Sequence, residues 1–137
     1  MAYWLVKSEP FKYSWDQLVA DGQTFWNGVR NYQASNNLKA MKRGDRAFFY
    51  HSNEGLAVVG IVEVVKEYYP DHTDESGRFG MVDVKPVKPF KRPVTLAEIK
   101  AEPKFAELPL IRQSRLSVMP IDDKSWRLIC EMGGVKP

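Results

Sequence analysis

The run Leu56-Ala57-Val58-Val59-Gly60-Ile61-Val62-Glu63-Val64-Val65-Lys66-Glu67-Tyr68 constrains this chain more than any other segment. It is dense in β-branched side chains, which suit an extended, pleated backbone, so it reads as one long strand. Gly60 in its interior marks a bulge or a sharp bend, the device by which a small sheet curves on itself. Its uncharged apolar stretch, Leu56 to Val62, is far shorter than the roughly 20 residues a membrane span needs.

The flanking segments supply partners for that strand. Gly44-Asp45 is a turn signal, followed by a strand at Arg46 to His51. Met81 to Val87 alternates apolar and polar side chains as a half-buried strand does, after a polar, glycine-punctuated loop over residues 71–80. Tyr3 to Lys7 is a first strand ended by Pro10, and Arg115 to Met119 is a returning one. Helix signals fall between them. Ser14 with Gln17 opens a helix through Ala20 that Gly22 stops. Ala34, Leu38 and Met41 share one face of a helix from Tyr32 or Gln33 to Lys42. Thr95 with Glu98 starts a helix that Pro103 ends, Lys104 to Leu108 forms a further helical turn, and Asp122 or Asp123 caps a last helix through Glu131. The pattern is α+β: a small barrel decorated with short helices.

At 137 residues with 44% hydrophobic and 27% charged side chains, the chain forms one domain over residues 1–137 with a core of its own. Cys130 is alone and cannot bridge internally; it packs inside the last helix, and its solitude points to a reducing compartment. His51 and His72 with one cysteine are too few for a Cys/His-rich zinc site, and no cofactor is expected. The first residues lack the basic region of a signal peptide, so a soluble, cytoplasmic protein without a membrane partner is expected.

Charge is unevenly placed. Residues 27–46 hold five basic side chains and one acid, residues 85–115 hold eight and three, and residues 66–83 hold two and five. Such unevenness on a chain of net charge +3 suits a polyanionic partner. Arg30, Lys39, Lys42, Arg43, Lys88, Lys91 and Arg92 are the candidate phosphate contacts; an ordinary solvated surface accounts for them equally well.

Trp26 stands in a polar loop, beside Asn27, Arg30, Asn31 and Gln33. There it either offers a flat face to a nucleobase, worth roughly 1–3 kcal/mol per base, or plugs the core beneath the loop. Trp4, Trp15 and Trp126 lie in regular elements and read as core. His51 ends a strand, where it is a base, a hydrogen-bond partner or a packed side chain. Pro70-Asp71 followed by Asp83-Val84-Lys85 matches by letter a magnesium nuclease pattern, in which Asp71 and Asp83 hold metal and Lys85 assists. Pro-Asp also opens turns without any chemistry.

Five blocks together resemble the EVE domain family: Trp4 to Pro10, Trp26 to Ala34, Phe49 to Ser52, Gly60 to Val64 and Arg115 to Val118. They keep their order and span nearly the whole chain. The resemblance implies a PUA-like fold, a bent β-barrel surrounded by short helices, related to YTH and ASCH domains. It implies a non-enzymatic reader that binds nucleic acid and holds a flipped, modified base, with modified cytosine in DNA such as 5-methylcytosine favoured and RNA as the alternative. A nuclease of a restriction system is the partner it suggests. By comparison with YTH domains, Trp26 is a cage wall, and Lys7, Ser8 and Glu9 form a polar rim. Asn31, Tyr32 and Gln33 read the base edge or hold the backbone, while His51, Ser52, Arg115 and Ser117 complete the far side. The resemblance assigns no residue to a second aromatic wall.

Overall fold

The computed structural model describes residues 1–137. Six strands carry the fold: β1 (Tyr3–Ser8), β2 (Thr24–Phe25), β3 (Arg46–His51), β4 (Ala57–Pro70), β5 (Gly80–Thr95) and β6 (Val118–Ile121). Four helices are inserted between them, α1 (Trp15–Asp21), α2 (Tyr32–Ala40), α3 (Leu96–Ala101) and α4 (Pro109–Arg112), with a 3-10 turn at Pro103–Phe105, and a fifth, α5 (Asp123–Met132), follows β6.

The strands form one sheet in the order β2-β5-β4-β3-β1-β6. β1 runs parallel to β3, and every other neighbouring pair is antiparallel. The α+β fold with short helices is as expected, but no ladder joins β2 to β6, so the bent sheet does not close into a barrel. Its curvature comes from bulges. The β4–β5 register shifts four times, and a further shift between Phe49 and Tyr50 on β3 faces the one at Val58/Gly60 on β4. The bend expected at Gly60 is therefore present. A Cβ on Gly60 would stand 2.5 Å from the Trp15 ring, so the bare backbone there is also what lets α1 close on the sheet.

Thirty-three buried residues form one core cluster, with Phe48, Phe49, Phe105 and Trp126 among its largest members. Trp126 stacks on Phe48 at 3.9 Å and on Tyr3 at 4.2 Å. Trp4, Trp15 and Cys130 are buried as expected. Burial pushes the Cys130 thiol up to about 11, which makes it an inert packing group.

Helix ends follow local chemistry. Ser14, Asn31, Thr95 and Asp122 each accept a hydrogen bond from a first-turn amide, and Thr95 with Glu98 forms the reciprocal capping box. Gly22 adopts the left-handed conformation that stops α1.

Elsewhere boundaries moved. α2 stops at Ala40 and not at Lys42, because Met41 is already extended. β5 runs on past Val87 to Thr95 despite Pro86, Pro89 and Pro93: Pro93 falls in a register shift, and beyond Val84 β5 has β4 as its only strand neighbour, an edge position that tolerates proline. β6 begins at Val118 and not at Arg115, and β2 is a short edge strand without a sequence signal of its own.

Candidate functional site

A cleft of about 780 Å³ opens where the end of β1, the turn after it, β2 and the 27–31 loop converge. Lys7, Ser8 and Glu9 line one side, Asn27 to Asn31 the other, and Trp26 and Phe25 come from the β2 end. Ser117 enters from the segment before β6, because the Lys7 amide donates to its carbonyl at 3.0 Å. Seven of the residues expected on sequence grounds thus meet in one place: Trp26, Lys7, Ser8, Glu9, Asn31 and Ser117 of the base pocket, and Arg30 of the phosphate set.

Of the two roles open to it, Trp26 takes the packed one, and it also touches the cleft. It belongs to the core cluster, meets Phe49 edge-on at 5.6 Å, and is 8% exposed. Only a strip of indole reaches the cleft, so the ring is its floor, and full face stacking requires neighbouring side chains to part. Its amide donates to the Val82 carbonyl at 2.7 Å, which ties the loop to β5. Tyr13 and the half-exposed Phe25 line the same cleft, and they are the aromatic candidates that sequence reasoning missed.

Polar atoms in the cleft divide into used and free. The Ser8 hydroxyl donates to the Tyr13 carbonyl. Glu9 pairs with Lys12 at 3.2 Å. Asn31 uses Oδ1 to cap α2 through the Ala34 amide, at 2.9 Å, leaving its NH2 for a ligand. Lys7 donates to the Ser114 carbonyl at 2.9 Å, and burial pulls its ammonium below the usual lysine range. Ser117 lines the cleft, and its hydroxyl makes no hydrogen bond within the protein, which leaves it a free donor and acceptor.

The loop is shaped from a distance. Asp71, 3% exposed, accepts from the Gly28 amide at 2.8 Å, from Arg30 at 3.0 Å, and from the amide and hydroxyl of Thr73. Burial alone would raise its pKa, but the bonds from Thr73, Gly28 and Arg30 outweigh it and hold the carboxyl well below the carboxylate range. These contacts also weigh against the nuclease reading. Both oxygens of Asp71 are occupied by donors, Asp83 accepts from the Tyr69 hydroxyl, and Lys85 faces Glu63 at 3.7 Å. Asp71 and Asp83 both lie near the Tyr69 hydroxyl, but their oxygens are taken up by protein donors, and no three His, Cys, Asp or Glu side chains gather there as a metal cradle.

The remaining candidates fall outside this cleft. Ser52 and Arg115 line a second cleft of about 820 Å³ with Tyr50, Leu56 and Leu110, which shares Lys7, Glu9 and Ser117 with the first. Gln33 lines a shallower groove with Asn31, Arg112 and Arg115. Tyr32 turns away; it packs on Phe79 at 5.0 Å, because as the first residue of α2 it projects from the capped end. His51 is not at the cleft either: its Nε2 accepts from the Trp15 amide at 3.1 Å, as a cap for α1. Burial pulls the His51 imidazole below its ordinary value, and the nearby Asp16 offsets part of that.

Of the expected phosphate contacts, only Arg30 lines the cleft. Lys39 lies over the Tyr68 ring at 5.5 Å. Lys42 and Arg43 sit in the turn before β3, their amides bound to Asp45 and Glu67. Lys88 donates to the Lys136 carbonyl, Lys91 lies against Gly134, and Arg92 forms a bidentate pair with Glu98. Lys12 lines the first cleft and Arg115 the second; they join Lys7 and Arg30 there, and neither was among the expected phosphate contacts.

This sheet, its helices and the tryptophan-floored cleft define a small α+β domain with one polar, aromatic-floored cleft. The EVE domain model matches residues 2–132, and the chain belongs to the EVE family. A Rhodopseudomonas palustris protein solved by NMR is 57% identical over 98% of this chain and 94% of its own, with a TM-score of 0.92. Thymocyte nuclear protein 1 of Gallus gallus is 38% identical over 98% of this chain and 70% of its own length. A crystal structure of human THYN1 in complex with DNA containing 5-methylcytosine superposes with a TM-score of 0.93 at 34% identity, covering all of both chains. No helix of the present chain is long and apolar enough to cross a membrane.

Proposed function

We propose that this chain is a non-enzymatic reader that binds DNA carrying a modified base, modified cytosine first, and receives that base, flipped from the helix, in the cleft floored by Trp26. The observation that carries the proposal is the superposition, over the full chain, on the human THYN1 protein bound to 5-methylcytosine DNA. The cleft supports it. Its floor is aromatic, its rim carries Lys7, Lys12 and Arg30, and Asn31 and Ser117 leave free polar atoms to read a base edge. Lys7, Ser8, Glu9, Asn31 and Ser117 are the first contacts in this reading, with Ser52, Gln33 and Arg115 on the adjoining grooves.

Extruding a base costs a few kcal/mol, which contact with the Trp26 ring and hydrogen bonds to the pairing edge offset. Burying one methyl group adds about 0.8 kcal/mol, so methyl burial alone separates 5-methylcytosine from cytosine only about fourfold. Larger discrimination requires shape or a polar contact. The cytoplasmic location expected from the sequence belongs to the same proposal.

Tryptophan fluorescence quenching at low salt tests it, with matched DNA and RNA oligomers carrying cytosine, 5-methylcytosine, 5-hydroxymethylcytosine or N6-methyladenine. Trp26→Phe and Asn31→Asp serve as controls, since Asp keeps the helix cap but removes the free NH2. Modification-dependent binding that both substitutions weaken supports the reader. Equal, weak binding of every oligomer by all three proteins overturns it.

A further inference from the structure

We propose that Phe11 is a wedge that enters the base stack of duplex DNA when the neighbouring base is drawn into the Trp26 cleft. The inference rests on the reader function proposed above and adds the residue that fills the vacated space.

Phe11 is 64% exposed, an unusual state for a phenylalanine in a chain whose other large aromatics are mostly packed. It is not on a loose loop. The amides of Lys12 and Tyr13 both donate to the Glu9 carbonyl, at 3.0 and 2.9 Å, and Glu9 pairs with Lys12 at 3.2 Å. The Ser8 hydroxyl clamps the base of the turn through the Tyr13 carbonyl, and Pro10 restricts the backbone before the ring. The turn therefore fixes the backbone from which this apolar side chain stands out in water.

That position is the mouth of the cleft. Lys7, Ser8 and Glu9 before the ring and Lys12 and Tyr13 after it all line the cavity, while Phe11 itself stands outside. A base leaving a duplex opens a gap in the stack next to the place it enters. Proteins that unstack DNA steps fill such gaps with apolar side chains, commonly Phe, Leu, Ile or Met. The surroundings match a phosphate-flanked gap: the Lys12 side chain is 71% exposed, its ammonium lies 6.0 Å from the Phe11 ring, and Lys7 follows on the rim. Burying the ring between bases removes its apolar surface from water, which a free surface phenylalanine cannot do.

A wedge acts only where a stack must be opened, and this separates it from the cleft. Phe11→Ala and Phe11→Trp are compared with the parent protein on a duplex and on a single strand, each with one 5-methylcytosine, with 2-aminopurine beside that base reporting unstacking. Thermal melting verifies that the exposed substitutions leave the fold intact. The expected result is a loss of about tenfold in duplex affinity and of the 2-aminopurine rise for Phe11→Ala, unchanged single-strand affinity, and recovery in Phe11→Trp. Duplex binding and fluorescence equal to the parent overturn the wedge while leaving the reader standing. Equal losses on both substrates also overturn it, since Phe11 would then contact the strand itself. A parent protein that binds neither modified substrate above its unmodified match removes the reader and the wedge together.

Discussion

The buried carboxylate of Asp71 accepts a 2.8 Å hydrogen bond from the backbone amide of Gly28, across 43 positions of the chain. Gly28 sits at φ +83°, a conformation glycine adopts without the Cβ penalty of other residues. One acceptor thus shapes the loop that forms half of the cleft, and it also holds Arg30 in place.

Replacing Asp71 by Ala leaves the Gly28 and Thr73 amides without their acceptor, and a loss of about 2–3 kcal/mol is expected in urea unfolding. The pH dependence has a definite sign. The folded pKa lies below the ordinary value of 3.8, so the contribution is complete above that value and fades as pH falls from it toward the depressed one. Stability measured between pH 5 and the lowest pH that keeps the fold should fall more gently in Asp71→Asn than in the parent protein.

His51 titrates in a higher range. Its neutral Nε2 accepts from the Trp15 amide, and burial pulls its folded pKa below 6.5. Its contribution is whole above 6.5 and is lost as pH falls through the folded value. His51→Ala should cost about 1 kcal/mol at pH 7.5. Its melting temperature should then decline less than the parent's between pH 7 and pH 5.

Gly60→Ala tests the packing of α1 on the bent sheet. The added methyl would stand 2.5 Å from the Trp15 ring, inside contact distance, and Trp15 is wedged edge-on against Phe49. Overpacking of this kind costs about 1–3 kcal/mol, read as a lower guanidinium midpoint with an unchanged slope.

The basic residues should separate into two groups in a salt titration of oligonucleotide binding. Arg115→Ala and Lys12→Ala, at the clefts, should weaken binding to every sequence and reduce the salt slope by about one each. Arg92→Ala should change neither, because Glu98 already holds its guanidinium. Glu98 is itself drawn down to about 2 by that pairing.

Much was legible in the chain before any fold was known. The caps at Ser14, Thr95 and Asp122 act between residues three apart, and the strands at Tyr3, Arg46 and Leu56 show in their alternation and β-branching. The ordered blocks from Trp4 to Val118 identified the family. Local chemistry writes these features, because each depends on neighbours a few residues away.

The cleft is different. Ser117 reaches it only because β1 pairs with β6, and Ser8 stands beside His51 only because β1 runs parallel to β3. Asp71 looked like a metal ligand until the fold surrounded it with the donors of Gly28, Arg30 and Thr73. Tyr32 and His51 left the site for the same kind of reason: one projects from a helix end, and the other caps a helix 36 positions away. Charge was the least legible property. Whether Arg92 or Arg115 is free to meet a phosphate depends on which acid lies within reach, and that is decided by packing between distant segments, not by the run of charges along the chain.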